Sequence, residues 1–141
     1  MRTLLVASVL VLTGTLLAGC ASEGGGDITG KTWHLISITT NTPKFAAIVP
    51  AESQGNYTID FAVDGTFAAK ADCNQVSGTY TIQGKAVLTI KPGPSTLAAC
   101  PAGSFGAEYV AALAQASSYS TAANQMTITL LDNGTLGFQT T

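Results

Sequence analysis

The sequence predicts a mainly β domain of antiparallel strands with a single α-helix near residues 104–116. Three observations predict it. Residues 57–63 alternate apolar and polar side chains, the period-2 signature of a half-buried strand. Asp64-Gly65, Gly84-Lys85 and Asn133-Gly134 each put turn residues between two such runs, and Asn-Gly is a strong hairpin signal. Between Ser104 and Ala116 the apolar period lengthens to that of a helix.

The chain opens on Met1-Arg2, an apolar run over residues 3–17, and the tetrapeptide Leu17-Ala18-Gly19-Cys20. One positive charge, a run too short and too interrupted for a comfortable membrane span, and small residues before a cysteine describe a removable export signal over residues 1–19. Leu-Ala-Gly-Cys resembles the lipobox of bacterial prolipoproteins, in which cleavage precedes the cysteine and its sulfur carries a diacylglyceryl group. Cys20 is thereby expected to be the lipidated first residue of the mature chain. It would hold the protein at the cell membrane or envelope, on the extracytoplasmic side. An uncleaved single-pass anchor, or an ordinary signal peptide with a chance cysteine, is the rival reading. Residues 20–27, rich in glycine, have the composition of a short flexible tether, so the folded domain is expected over 28–141.

Residues 32–38 are β-branched and aromatic, with Trp33, Leu35 and Ser37 on one face. Residues 39–56, punctuated by Pro43, Pro50 and Gly55, read as a long surface loop. Tyr57, Ile59, Phe61 and Val63 then face one way, and beyond Asp64-Gly65 the inward face continues through Phe67, Ala69, Ala71 and Cys73. Strands over 79–82 and 86–90 complete a four-strand meander, which Pro92, Pro94 and Pro101 interrupt on either side of Cys100. Phe105, Tyr109 and Leu113 recur at helical spacing behind Ser104, an N-cap residue type. Two last strands, 126–130 and 135–139, join across Asp132-Asn133-Gly134, with Met126, Ile128, Leu130, Leu136 and Phe138 facing the core.

The 122 residues from Cys20 to Thr141 amount to one domain with a single modest core. Without Arg2 the mature chain carries five lysines against eight acidic residues and no basic cluster, which disfavours nucleic acid as a partner. With Cys20 assigned to lipid, Cys73 and Cys100 are an even pair in an oxidising compartment and are expected to form a disulfide. That link would stabilise the fold by roughly 3 to 4 kcal/mol on the chain-entropy estimate. A metal or redox site is the alternative, but the chain has no Cys-x-x-Cys and one histidine.

Catalysis needs a nucleophile, a base and an orienting group that converge. His34, beside Trp33 on a strand, is expected to point outward. Among the carboxylates Asp64 and Asp132 are turn residues and Asp60 is a solvent-facing strand position. Asp72 and Glu108 are the two with no such structural role. No catalytic, cofactor-binding or metal-ligating set is expected, and the chain reads as a non-enzyme.

Several landmarks fall in one order. Trp33-His34-Leu35 precedes the aromatic strand and glycine turn from Phe61 to Phe67, then Asp72-Cys73-Asn74 and Gly78-Thr79-Tyr80. Thr96-Leu97-Ala98-Ala99-Cys100 follows, then a helix led by Glu108, then the closing hairpin. Taken together these resemble the META domain proteins, also called the HslJ-like family, over about 105 residues. Asp72 departs from the pattern, standing where the family usually has glycine. The resemblance implies a small antiparallel, lipocalin-like β-barrel or strongly curved sheet with one helix. It implies an envelope protein, and it transfers no catalytic or binding residues.

The expected function is therefore a lipid-anchored, non-catalytic envelope module that holds a protein partner near the membrane or serves envelope stress or assembly. One alternative is a lipoprotein inhibitor of a lysozyme or secreted protease, with Lys44-Phe45 in the 39–56 loop as its plug. The other is a binder of a small apolar ligand, against which stand the bulky inward residues Tyr57, Phe61, Phe67, Tyr80 and Phe138.

Overall fold

The computed structural model describes residues 25–141; the expected export signal over 1–19, Cys20 and residues 21–24 of the expected tether lie outside the described residues. The strands are β1 (Thr32–Asn41), β2 (Lys44–Ile48), β3 (Tyr57–Phe61), β4 (Thr66–Ala71), β5 (Asn74–Gln83), β6 (Val87–Ser95), β7 (Ala116–Ala122), β8 (Gln125–Leu130) and β9 (Thr135–Gln139). A 3-10 turn covers Ala51–Asn56, and the helix α1 covers Gly106–Leu113. All strand pairs are antiparallel. β1 and β3 to β9 pair in succession, and β9 returns to β1, so the sheet closes into the expected barrel. β2 stands outside the ring, folded back along the far half of β1.

Closure follows from the apolar alternation. Along β3 and β4 every second residue is buried, as the sequence pattern requires. Trp33, Tyr109, Phe61, Phe138, Leu35, Ile59 and Leu113 are all fully buried and fill the interior. Each contributes roughly 1.5–3 kcal/mol on removal from water. The polar ends of the large rings are satisfied: Trp33 Nε1 donates to the Ile28 carbonyl at 2.9 Å and Tyr109 Oη to the Thr58 carbonyl at 3.2 Å.

Several expectations are corrected. The 39–56 segment is no loop: β1 runs on to Asn41, turns through Thr42 and the cis-linked Pro43, and returns as β2. The turn is held by tertiary hydrogen bonds that short-range sequence does not show. Asn41 and Thr42 donate their N–H groups to one Asp132 carboxylate oxygen at 2.6 and 2.8 Å. In β1 the pairing with β9 slips between Leu35 and Ser37, so the buried face passes from Leu35 to Ile38 and Ser37 leaves it. Val63 falls in the β3–β4 turn and is 89 % exposed, and Cys73 lies beyond the end of β4, exposed. β6 continues through Pro92 and Pro94, aided by a bulge opposite Val76 and Gly78. α1 is shorter than expected; Phe105 occupies its N-cap position, while Ser104 Oγ accepts the Gly106 N–H at 3.3 Å. β7 was hidden by its serine-rich composition, with Ala116 and Tyr119 its only buried positions.

The barrel has two dissimilar ends. One carries α1, the β1–β2 turn, the β8–β9 turn and the loop from Thr96 to Ser104. The opposite end carries the β3–β4, β5–β6 and β7–β8 turns together with the point of chain entry. There Gly25 N–H donates to the Lys85 carbonyl at 2.8 Å, Gly26 N–H to Thr121 Oγ1 at 2.8 Å, and Tyr119 Oη to the Gly26 carbonyl at 3.1 Å. Gly25 and Gly26 are thus already bonded to the barrel, ahead of the expected domain start at Ile28.

Candidate functional site

The helix end of the barrel is built by three local devices. The first is α1 itself. Tyr109, Ala112 and Leu113 are buried, which leaves Ala107, Glu108 and Ala111 on its outer side. Phe105, just ahead of it, stacks on Tyr57 with ring centroids 4.2 Å apart and meets Phe45 of β2 at 6.0 Å. The second is Asp132. Besides binding the β1–β2 turn it accepts the Gly134 N–H at 2.7 Å, and Asn41 Nδ2 donates to its backbone carbonyl at 2.9 Å. These backbone N–H donors, Asn41 first, hold its carboxyl below the usual carboxylate value.

The third device is Asn74. Its side-chain oxygen accepts the Ala98 N–H at 2.7 Å and the Thr96 hydroxyl at 3.0 Å, while its Nδ2 donates to the Ala98 carbonyl at 3.0 Å. Thr96 Oγ1 in turn accepts the Gln75 N–H at 2.9 Å. Beside it Cys73 and Cys100 are joined as a disulfide, their Cα atoms 5.5 Å apart. The Cys-Asn and Thr-x-x-Ala-Cys segments therefore form one lock that ties the 96–100 loop to the start of β5. Asp72 precedes this lock at φ +60°, donating its N–H to the Asn56 carbonyl at 2.7 Å. Gly78 is required by crowding, since a Cβ there would collide with the Lys91 carbonyl and the Phe67 ring.

These devices leave two apolar grooves, one on each flank of α1. Between α1 and the β1–β2 hairpin lies a groove of about 250 Å³, with Pro43, Phe45, Ala107 and Ala111 in its lining and Glu108 and Asp132 as its charged residues. On the other flank Ala71, Val76, Leu97, Val110 and again Ala107 and Ala111 line one of about 380 Å³, where Leu97 is 92 % exposed. The two apolar grooves that flank α1 mark this end as the candidate contact surface, although Val63, Ile82 and Val87 are exposed singly at the opposite end. A wider, shallow depression of about 530 Å³ on the outer sheet face has a mixed lining, with Asp60, Lys70 and Gln75 beside Ala68, Val76 and Pro94.

The residues singled out from sequence do not converge. His34 is half-buried on β1, with Nδ1 3.3 Å from the Gln54 carbonyl. Asp60 accepts the Thr32 hydroxyl on the outer sheet face, and Asp64 accepts the Thr66 N–H and hydroxyl in its turn. Asp72 belongs to the disulfide lock and Glu108 to the groove. Lys44 and Phe45 sit on β2, with Phe45 packed inward against Phe105. Among the described residues no three His, Cys, Asp or Glu side chains gather as metal ligands would. Asp132 is the residue sequence reasoning undervalued. Its Asn-Gly context explained it locally, and nothing local signals that it reaches across to Asn41.

The family profile of the META domain matches residues 26–141. Among solved structures, the chain is similar to a protein from Burkholderia xenovorans at 23% identity, covering 81% of this chain and 83% of that one with a TM-score of 0.62. A DUF4847 family protein from Bacteroides vulgatus is 18% identical, with coverage of 79% and 93% and a TM-score of 0.59. At these identities the likeness is one of fold. No curated protein matches the chain.

Proposed function

The chain belongs to the META domain family, and from that premise we propose that it is a non-catalytic, lipid-anchored envelope module that holds a protein partner near the membrane through the helix end of its barrel. The observation that carries the reading is the polarity of the barrel. The chain enters at Gly25, at the end opposite α1, and the apolar grooves lie at the α1 end. Gly25 is five residues beyond Cys20, a reach of at most about 18 Å. A lipid on Cys20 would therefore hold the entry end against the membrane and turn the helix end away from it. Diacyl and N-acyl chains together bury many methylenes at about 0.8 kcal/mol each, so such attachment is effectively permanent.

The scattered His34, Asp60, Asp72 and Glu108 favour a binding role over a catalytic one. The filled interior weighs against a small apolar ligand, and the packing of Phe45 on Phe105 weighs against a free inhibitory loop. The test is fractionation and crosslinking from intact membranes. The wild-type protein is expected in the membrane fraction crosslinked to an envelope protein, and Cys20→Ser is expected to be released and to lose that adduct. Equal membrane retention of both forms would refute the anchor, and an anchored protein with no adduct would refute the partner.

A further inference from the structure

Among the described residues β2 is the one strand outside the closed ring, and β1 is its only strand partner. Val49 N–H donates to the Ile36 carbonyl at 3.0 Å, which makes Ser37 and Ile48 a pair without mutual hydrogen bonds and sets the alternation along the hairpin. Phe45 and Ala47 therefore turn their backbone groups toward β1. Lys44, Ala46 and Ile48 turn theirs outward, along a free edge where all three residues are exposed and Ile48 is 78 % so.

The barrel's other incomplete pairing differs. β6 meets β7 only at Val87 and Ser118, and Tyr119 N–H donates to the Ala86 carbonyl at 2.9 Å. The same alternation puts residue 92 on the open side of β6, and it is a proline, with Pro94 close behind. Proline has no N–H to offer an incoming strand, so that edge is interrupted at residue 92. No proline falls within β2.

Beside β2 lies the 250 Å³ groove, to which Phe45 supplies one wall and Ala107 and Ala111 of α1 the other. Ala residues there leave room for an incoming side chain. Its two charged residues are both acidic: Glu108, exposed on α1, and Asp132, whose carboxylate is held by backbone N–H groups. Lys44 is on the alternate face of β2 from Phe45.

We propose that an extended segment of a partner polypeptide adds to β2 as a further strand, its backbone bonded to Lys44, Ala46 and Ile48, an apolar side chain against Phe45 and Ala107, and a basic residue beside Glu108. The unpaired backbone row calls for a β-strand, and the acidic groove calls for a cation on it. This inference rests on reading the protein as an interaction module.

The test uses the isotopically labelled protein, as the cell processes it, and two capped synthetic heptapeptides. One is Thr-Val-Arg-Val-Thr-Val-Thr and the other has Glu in place of Arg. The Arg peptide is expected to shift the amide resonances of residues 44–48 and 107–111, to slow exchange of the Ala46 and Ile48 amide protons, and to bind about tenfold more tightly than the Glu peptide. Glu108→Gln, which leaves the edge intact, is expected to reduce that preference about three- to fivefold. Ala46→Pro, checked for an unchanged melting temperature, is expected to abolish the peptide-induced exchange protection of Ile48.

Shifts confined elsewhere, equal affinity for both peptides, or no binding at all would overturn strand addition at β2. Protection of Ala46 and Ile48 that grows with protein concentration in the absence of peptide would instead assign the edge to a second copy of the chain. None of these results bears on membrane retention of Cys20→Ser, so failure here is distinguishable from failure of the anchor.

Discussion

At the scale of single residues, two side chains at the helix end show opposite relations between local preference and tertiary demand. Asp72 adopts a left-handed backbone at φ +60° immediately before the disulfide. Aspartate tolerates that region better than most residues, yet glycine occupies it without a Cβ penalty. Asp72→Gly, the residue usual in the family, is expected to raise stability by roughly 0.5–1 kcal/mol in thermal unfolding. The position was visible in the sequence as a departure from the family pattern, but its backbone angle was not. Asp132 is the converse, a turn residue whose side chain organises a hairpin far away in sequence. Its carboxyl is held below the ordinary value of 3.8 by backbone N–H donors, so its folded pKa lies under its unfolded one. The sign follows: its contribution to stability is present above about pH 4 and is lost as pH falls through the depressed folded value. Asp132→Asn is expected to lower the melting temperature at neutral pH and to flatten the acid dependence below pH 4, read from melting curves between pH 2 and 7.

At the scale of elements, legibility followed the range of the interactions that shape each one. β3, β4, β8 and β9 alternate strictly and are bounded by Asp64-Gly65 or Asn133-Gly134, so their period alone revealed them. β2 and β7 each present too few buried side chains for a pattern, since β2 buries none and β7 only Ala116 and Tyr119. Their existence depends on partners that come from elsewhere in the chain: Asp132 for the β1–β2 turn, and β8 for β7. The grooves flanking α1 were invisible for the same reason, being made by the approach of separate elements. α1 shows how tertiary packing overrides propensity. It begins at Gly106, a poor helix former, because a Cβ there would stand 2.6 Å from the Ala71 carbonyl. Gly106→Ala is accordingly expected to destabilise the protein by about 1–3 kcal/mol despite alanine's higher helix propensity, measured by denaturant unfolding. The Cys73–Cys100 link constrains the loop leading into this helix. Replacing both cysteines with serine is expected to cost roughly 3 to 4 kcal/mol, with Asn74 still holding Ala98 in the folded state.

At the scale of the whole molecule, the barrel converts a local attachment point into an orientation. Strands of five to ten residues run between the two ends, and at about 3.3 Å per residue they separate those ends by roughly 20–30 Å. Gly25 and Gly26 are bonded to Lys85, Thr121 and Tyr119, so the chain leaves the barrel at a defined place. Their lack of side chains is part of the fit, because a Cβ on Gly25 would overlap the Tyr119 ring. The proposed lipid at Cys20, on so short a connection, would restrict the tumbling of the domain. Under the proposed anchor, the entry end with the β7–β8 turn would stay near the bilayer and α1 would face away. An environment-sensitive probe at Asn124 is therefore expected to be quenched strongly by quenchers carried on lipid headgroups, and a probe at Ala111 weakly. Lengthening the tether by a flexible insertion of about twenty residues after Glu23 is expected to reduce the quenching at Asn124 toward that at Ala111. Equal quenching at both sites with the native tether would mean that the barrel lies on its side, bringing β2 and the groove beside α1 to the membrane surface instead of to a partner.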